Sequence, residues 1–509
     1  MFTQVEEHAS PFRKAAIPRD PSSMPYVGLA PGGRYFMTED GKPFLVIGHN
    51  EALPWPRMYH MQDERDIATV ESYIKMMAEH GVTVVRIMLE YCEDEQWFFE
   101  DAQGRPVLST VQYWDNLIGL CERYKIRLLV QFWDTFFMSR RWEYHPYSAP
   151  GSGFDGPGSF CTSPAALEAQ KRRIAFFIDR WGDSPAIFAY DLLNEIHPYW
   201  GGTPEEQYRW LSGIAQFTRN CELERWGKRH LLTVSIFGAK PEEGYGDLVF
   251  RHPELDFAST HVYELGLVDN PENTIDCAVV MREAVKYAFS QMPGTRPYTD
   301  SESGPIHLFM DLKLFLLEPF ESEYYHNMTW AHLATGGAGS GIRWPFRDPH
   351  YLTQEMHEVQ RGMSRFVAST TACGFDWLTF SPQPVDEAMQ VVSLLAEAEG
   401  PLPVLSFGCS DGKQALMWLL RDKRVTADDT PIAPADLMMS CLHEGSYVAE
   451  FWETYSGERL GEYKFEVISP AQTESETGDG EPQIRLPLPA FGVDLAMTVR
   501  ANAFSTGPQ

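Results

Sequence analysis

Two glutamates, Glu195 and Glu302, are the residues of this sequence whose type and setting best suit catalysis. Each ends a short run that is typical of a buried strand, Glu195 directly after Asn194 and Glu302 two residues after Asp300. Two carboxyl groups that face one cleft can act as proton donor and nucleophile. Their separation would decide the stereochemistry, because about 5–5.5 Å permits a covalent intermediate and a wider gap admits a water. Alternatively, Asn194 and Glu195 only cap the next helix, and Asp300 competes with Glu302 as nucleophile.

Other polar and aromatic side chains lie at or near the ends of predicted strands. Arg86 stands inside an apolar run, where a buried cation needs a carboxylate partner. It would help to keep a nucleophilic carboxylate ionised, or it forms a structural ion pair with Glu51 or Glu90. We expect further ligand contacts from Asn194, His261, Tyr263, Trp344, Trp133, Asn50 and Glu51. His261 can equally be a structural histidine, and Trp344 can be ordinary packing.

The elements that must position these residues are strands alternating with helices. Apolar runs typical of buried parallel strands occur at 42–48, 82–88, 127–132, 186–195, 231–236, 257–263, 297–304 and 339–345. Helical patterns separate nearly all of them, for example after Thr203, where Thr-Pro-Glu-Glu predicts a capping box. Eight such units predict a (β/α)8 TIM barrel over residues 34–374. The carboxyl ends of its strands would bring the candidate residues to one rim.

The two ends of the chain differ in composition and pattern from the predicted barrel. Residues 1–33 are rich in Pro, Ser and charge and predict an arm packed on the surface. From residue 375, short strand-like runs between Pro, Gly and Asp turns predict a smaller antiparallel β-sandwich over 375–509. We expect a helix near 312–317 and a mobile loop at 471–482. The C-terminal domain could brace the barrel or contribute contacts in a homo-oligomer.

Composition narrows the possible partners. The formal net charge is −29, which argues against a nucleic-acid or anionic-membrane partner. The eight cysteines include no C-x-x-C pair, so no metal or disulfide framework is expected, and no cofactor. The first residues show no basic region followed by an apolar run, and no stretch is apolar enough to span a membrane. We therefore expect a cytoplasmic protein that acts on a neutral ligand.

The pattern resembles the retaining glycoside hydrolases of clan A, the cellulase and mannanase superfamily that includes family 5. The resemblance covers residues 30–370 and depends on Asn194-Glu195, Glu302, Arg86, His261-x-Tyr263 and Trp344 in that strand order. Two features depart from the family: Gln131-Phe-Trp-Asp134 stands where histidine pairs are common, and Asp-Ser-Glu-Ser-Gly replaces Glu-Phe-Gly around Glu302.

The resemblance implies a carbohydrate substrate, with Glu195 as acid/base, Glu302 as nucleophile, Asn194 bonded to a sugar hydroxyl and Trp344 beneath the sugar ring. A long aromatic loop at 135–162 suggests a cleft closed at one end, hence exo action on oligosaccharides. The alternative from another class is a non-hydrolytic carbohydrate-binding protein on an inactive barrel. A metal-dependent hydrolase is disfavoured, because His-x-His after the first strand and His-Glu-x-x-His are both missing from the sequence.

Overall fold

The computed structural model describes residues 16–502 except 242–243, 269, 271, 307–319, 346–349, 395–401, 426–429 and 469–483. The helix predicted near 312–317 and the loop predicted at 471–482 lie outside the described residues. None of the described helices is long and apolar enough to cross a lipid bilayer.

A small antiparallel sheet precedes the barrel and covers its amino-terminal end. Its strands are β1 (Val27–Leu29), β2 (Phe36–Thr38) and β3 (Pro43–Phe44), so the boundary predicted at residue 33 falls inside this sheet. Phe36 packs edge-on against Phe188 and Phe257, with ring centroids 5.0 and 5.5 Å apart. These rings lie near the amino ends of two barrel strands, so the hairpin closes the end of the barrel opposite to the carboxyl ends of the strands.

The barrel prediction is confirmed. Its strands are β4 (Val46–Glu51), β5 (Val84–Met88), β6 (Arg127–Gln131), β7 (Ile187–Asp191), β8 (Leu231–Thr233), β9 (Ser235–Phe237), β10 (Ala258–Val262), β11 (Tyr298–Ser303) and β12 (Gly339–Arg343). All described pairings among them are parallel, in the order β8-β7-β6-β5-β4-β12-β11-β10-β9. Because β8 and β9 are separated only by Val234, they are two halves of one strand, and that strand closes the barrel.

Helices surround the strands, and several of them begin at a side-chain cap. They are α1 (Ile67–Glu79), α2 (Leu108–Tyr124), α3 (Thr135–Arg140), α4 (Pro164–Trp181), α5 (Pro204–Trp226), α6 (Asp276–Gln291), α7 (Phe320–Ala334) and α8 (Gln354–Ala372). The capping box predicted at Thr203 is present, since its side chain accepts from Glu206 N–H and the Glu206 carboxylate accepts from Thr203 N–H. Ser163 caps α4, which has a proline in its first turn.

The long segment after β6 is more ordered than the sequence suggests. It contains α3 and short 3-10 turns at Trp142–Tyr144, Pro146–Ser148 and Pro157–Ser159. Its rings face the core: Tyr147 and Phe154 stack with centroids 4.0 Å apart, and Phe160 is fully buried. These aromatic residues therefore stabilise the barrel exterior, and the part of the segment that reaches the catalytic face is α3.

The C-terminal part forms the predicted β-sandwich. One sheet has the order β13 (Gln383–Pro384), β15 (Val404–Ser410), β16 (Ala415–Arg421), β21 (Asp494–Ala501), β18 (Gly445–Trp452) and β19 (Arg459–Val467); the other has β14 (Met389–Ser393), β17 (Ala435–Met439) and β20 (Ile484–Leu488). Asp494 joins the sandwich to the barrel, because its Oδ2 lies 2.7 Å from Nε2 of the buried His326 on α7 and accepts the indole N–H of Trp418 at 2.8 Å.

Candidate active site

Arg86 is the centre of a buried polar cluster at the carboxyl end of the barrel. Its side chain is fully buried on β5. One terminal nitrogen donates to Glu302 Oε1 and to Asn50 Oδ1 (2.9 Å), and the other donates to Asn194 Oδ1 (2.8 Å) and Asp191 Oδ2 (3.1 Å). Arg86 therefore pairs with carboxylates across the barrel, on β11 and β7, and the predicted alternatives Glu51 and Glu90 are not its partners.

Glu195 and Glu302 both lie close to the imidazole ring of His261. His261 Nδ1 lies 2.8 Å from Glu195 Oε1 and 3.4 Å from Glu302 Oε2. One oxygen of each carboxyl group and the imidazole nitrogen all lie within 4.8 Å of one another. Retaining glycosidases place their two carboxyl groups about 5–5.5 Å apart, whereas inverting enzymes need about 6.5–9.5 Å. The observed spacing fits the first class.

A backbone irregularity brings Glu302 opposite His261. Strand β11 has one extra residue, Ser301, relative to β10, so Thr260 pairs with Asp300 and His261 pairs with Glu302. Tyr263, just past β10, donates its hydroxyl to Glu302 Oε2 at 2.9 Å. Glu302 thus accepts from Arg86 on one oxygen and from Tyr263 on the other, and both donors stabilise a negative charge on it.

The surroundings of His261 show which of its two ring nitrogens carries the hydrogen. Burial is the main cause that lowers the pKa of this imidazole to about 4, so the ring is neutral at pH 7. Its Nε2 lies 3.3 Å from an Arg86 nitrogen, which can only donate. Nε2 must then accept, and Nδ1 carries the hydrogen and donates it to Glu195. His261 is therefore a neutral donor to Glu195 that also lies 3.4 Å from Glu302 Oε2.

Glu195 lies in the turn after β7 rather than on the strand itself. The strand ends at Asp191, and Glu195 has φ +48°, a backbone conformation that is costly for a residue with a Cβ. Its N–H donates to Ser235 Oγ at 3.2 Å, which holds the turn against the neighbouring strand. Burial is the main cause that raises the pKa of Glu195 to about 7. A carboxyl group with that pKa can donate a proton near neutral pH.

The pH dependence of kcat/KM follows from this raised pKa. For a glycoside with a poor leaving group, we expect kcat/KM to fall about tenfold per pH unit above pH 7, because Glu195 must be protonated to assist departure. A dinitrophenyl glycoside needs no such proton, so its kcat/KM should stay level over the same range. Stopped assays from pH 5 to 9 on both substrates test this. The same fall for both substrates would contradict the assignment.

Two connected cavities meet at Glu195. The smaller, about 70 Å³, contains Glu302 among its lining residues, and the larger, about 650 Å³, does not. The smaller is lined by Met88, Tyr91, Asp134, Phe136, Phe137, Asn194, Glu195, Phe237, Tyr263, Glu302, Ile306 and Trp344. Glu195, Phe136 and Phe237 line both cavities, so the Glu195 side chain lies where the two cavities adjoin.

Several predicted ligand contacts are placed in this cavity and others are not. Asn194, Tyr263 and Trp344 line it, whereas Asn50 is buried behind Arg86 and donates to the carbonyl of Ser301. Glu51 points to the opposite side of β4, where it accepts from Tyr73 of α1. Trp133 is fully buried and donates to Tyr147. Glu51 and Trp133, both predicted to contact a ligand, therefore do not line this cavity, because both face the helices outside the barrel.

Sequence reasoning missed some residues of the site. Asp191 is the second carboxylate on Arg86, and its only signal was an acidic residue in the middle of an apolar strand opposite a buried cation. Asp134, at the end of β6, lines the smaller cavity, and burial raises its pKa to about 7. Phe136 and Phe237 face both cavities, yet neither is distinguishable by type from the many core phenylalanines.

Asp300, the predicted competitor of Glu302, lies deeper in the barrel. It is fully buried, and burial raises its pKa well above the usual value, an effect that hydrogen bonds from Ser303 and the Val262 backbone only partly offset. It therefore keeps its proton to a higher pH than an ordinary carboxyl group and is less suited to attack than Glu302.

A stability prediction follows for Asp300. The unfolded chain ionises this carboxyl group near pH 4, whereas burial raises its pKa in the folded protein, so its presence costs stability increasingly as pH rises above 4. We expect Asp300→Asn to raise the free energy of unfolding by roughly 1–3 kcal/mol at pH 7 and to leave it nearly unchanged at pH 4. Urea unfolding at both pH values measures this. Equal effects at the two pH values would contradict it.

Two groups of side chains in the described residues have the composition of metal sites. They are Glu195, His261 and Glu302, and Glu90, Cys92 and His145. In each group an arginine already bonds to a carboxylate, Arg86 to Glu302 and Arg173 to Glu90. A guanidinium in this position repels a second cation, so the donor sets fit an ion pair better than a metal ion.

Comparison with known proteins agrees with this geometry. No protein-family model matches the chain. A protein named probable mannan endo-1,4-beta-mannosidase A from Aspergillus flavus is 22% identical over 289 aligned residues, which cover 49% of this chain and 68% of that protein. Mannan endo-1,4-beta-mannosidase A from Podospora anserina is 26% identical over 250 residues, covering 45% of this chain and 55% of that protein.

Solved structures share the whole fold. A glycoside hydrolase family 5 protein from Bacteroides vulgatus superposes with a TM-score of 0.58 at 13% identity and covers 95% of both chains. A second glycoside hydrolase has the same TM-score and identity, over 96% of this chain and 99% of the other. At such identity the likeness concerns the fold, including the C-terminal domain. In its sequence relatives, its fold and its paired carboxyl groups, the chain is similar to clan A glycoside hydrolases of the family 5 type.

Proposed function

We propose that this protein is a retaining β-glycosidase that acts on β-mannosides, with Glu195 as acid/base and Glu302 as nucleophile. The observation that carries the proposal is the spacing of the two carboxyl groups, whose nearest oxygens lie within 4.8 Å of each other and of His261 Nδ1. Such a spacing leaves room for direct attack on a sugar carbon and too little for an intervening water. The choice of mannose is supported by the names of the sequence relatives.

The two steps use the site as follows. Glu302 attacks the anomeric carbon, a glycosyl ester forms, and the bond to the leaving oxygen breaks as Glu195 delivers its proton to that oxygen. Glu195, now ionised, removes a proton from water, which displaces Glu302 and releases the sugar with its original configuration. Arg86 and Tyr263 hold Glu302, and His261 donates to Glu195.

Exo action is part of the same proposal, and the unequal cavities support it. The sugar that is attacked must lie beside Glu302, in the smaller cavity, and the leaving group must lie beyond Glu195, in the larger one. The described walls of the smaller cavity include Tyr91, Phe137 and Trp344, and Trp344 is backed edge-on by Trp55 at 5.0 Å. Space for further sugars is therefore greater on the leaving-group side.

One experiment tests whether the anomeric configuration is retained, and another tests whether the action is exo or endo. Proton NMR of the first product from an aryl β-mannoside should show the β-anomer before mutarotation, and an initial α-anomer would overturn retention. Manno-oligosaccharides labelled at the reducing end should lose single mannose units from the other end. Early labelled fragments of mixed length, or a rapid loss of mannan viscosity, would show endo action instead. Binding without turnover across a panel of glycosides would favour the non-hydrolytic alternative.

A further inference from the structure

The leaving-group cavity differs in charge from the protein as a whole. The chain carries a formal net charge of −29. Among the described residues that line the larger cavity, Glu195 is the only carboxylic acid, while Arg140 and His197 are basic. Arg140 also acts on Glu195, since its charge, like that of Arg86, lowers the pKa that burial raises, and His197 lines the same cavity. Both side chains are therefore close to the point where the glycosidic oxygen departs.

Arg140 is held in place without a charged partner. It is the last residue of α3, and its guanidinium carbon lies 3.7 Å from the centroid of the Phe136 ring. It makes no ion pair or side-chain hydrogen bond with any other residue that the structure describes. Stacking on an aromatic face fixes the plane of a guanidinium but leaves its N–H edges available. In a chain so rich in carboxylates, an arginine held in this way has its donors free for a ligand.

His197 adds a second donor to the same wall. Its Nδ1 accepts the backbone N–H of Tyr199 at 3.1 Å, so in the neutral ring Nε2 carries the hydrogen. Tyr199 is fixed in turn, because its hydroxyl donates to the Ser139 carbonyl at 3.1 Å. The wall that faces the leaving group thus offers a guanidinium edge and an imidazole N–H.

We propose that Arg140 binds an anionic oxygen group, a carboxylate or a phosphate, on the leaving group of the substrate. This specificity rests on the proposed glycosidase function and adds the chemical class of the aglycone. A planar guanidinium forms two parallel hydrogen bonds to such a group, and these charge-assisted bonds are roughly twice as strong as neutral ones.

The test compares two aryl glycosides that differ only in charge, 4-carboxyphenyl and 4-carbamoylphenyl β-mannoside. The wild-type enzyme should prefer the carboxylate by about tenfold or more in kcat/KM, a preference that weakens as ionic strength rises. Arg140→Gln should reduce that ratio to near one, mainly by lowering kcat/KM on the carboxylate compound. The matched control is Arg141→Gln, since Arg141 lies 5.1 Å from the Tyr144 ring and lines neither cavity. It should keep the wild-type ratio.

The outcomes separate this specificity from the proposed function. Cleavage of both compounds at similar rates, or the same ratio in Arg140→Gln as in wild type, overturns the role of Arg140 and leaves the glycosidase intact. If β-mannosides resist cleavage, the same pair of aglycones on β-glucosides and β-galactosides gives the ratio on whichever sugar is turned over. Failure on every sugar would overturn the proposed function and, with it, this specificity. Comparison of 4-phosphonophenyl and 4-carboxyphenyl mannosides then decides which anion is preferred.

Discussion

Replacing Glu302 with alanine is expected to reduce kcat on a dinitrophenyl β-mannoside by roughly four to six orders of magnitude, because the covalent route loses its nucleophile. The leaving group of this substrate needs no proton, so the loss reports on attack alone. Glu195→Ala should retain much of its kcat/KM on the same substrate and lose it on substrates with poor leaving groups. A similar activity of Glu302→Ala and wild type would end the assignment.

Azide distinguishes the two glutamates by product. In Glu302→Ala, a small anion can occupy the space of the carboxylate and attack the sugar directly, giving the α-glycosyl azide by one inversion. In Glu195→Ala, azide replaces water in the second step and gives the β-glycosyl azide by two inversions. NMR of the isolated azides identifies each. If Glu302→Ala gave the β-glycosyl azide and Glu195→Ala gave the α-glycosyl azide, Glu195 would be the nucleophile and Glu302 the acid/base. Asp300→Asn serves as the control, since it should need no rescue and form no azide.

The principal site residues were predictable because they follow strand ends. In a barrel of parallel strands, the carboxyl ends converge, so polar residues after separate apolar runs can be pooled without knowing any contact. That reasoning placed Glu195, Glu302 and Tyr263 together, and the structure brings all three within one cluster. The turn geometry of Glu195 was not predictable, because a positive φ at a non-glycine residue is imposed by the surrounding packing.

The main error of the sequence-based prediction concerned which side of a strand each residue faces. Every residue of β4, β5 and β7 is buried, so these sequences show no alternation that separates the barrel interior from the helix-facing side. Asn50 and Glu51 are adjacent and polar, yet only Asn50 faces Arg86. Asp191 was missed for the same reason, since its contact with Arg86 depends on the relative positions of strands that are not neighbours in the sheet.

The hydrogen-bond network also explains why Arg86 should be among the least replaceable residues. Arg86→Met removes the cation between Glu302 and Asp191, and leaves two buried carboxylates without a counter-charge. Breaking a buried ion pair in this way costs about 3–5 kcal/mol. We expect a drop of that order in the free energy of unfolding, measured in urea, together with a loss of kcat of at least about a hundredfold, because Glu302 is no longer held or stabilised as an anion.

A second substitution separates the structural part of that loss from the catalytic part. In Arg86→Met/Asp191→Asn, one of the two uncompensated charges is removed, so we expect about half of the lost stability to return. Activity should not return with it, because Glu302 still lacks the donor on Oε1 while Tyr263 alone bonds to Oε2. If stability and activity both recovered, Arg86 would act only through its effect on folding. Recovery of stability alone would show that the guanidinium positions and stabilises the nucleophile.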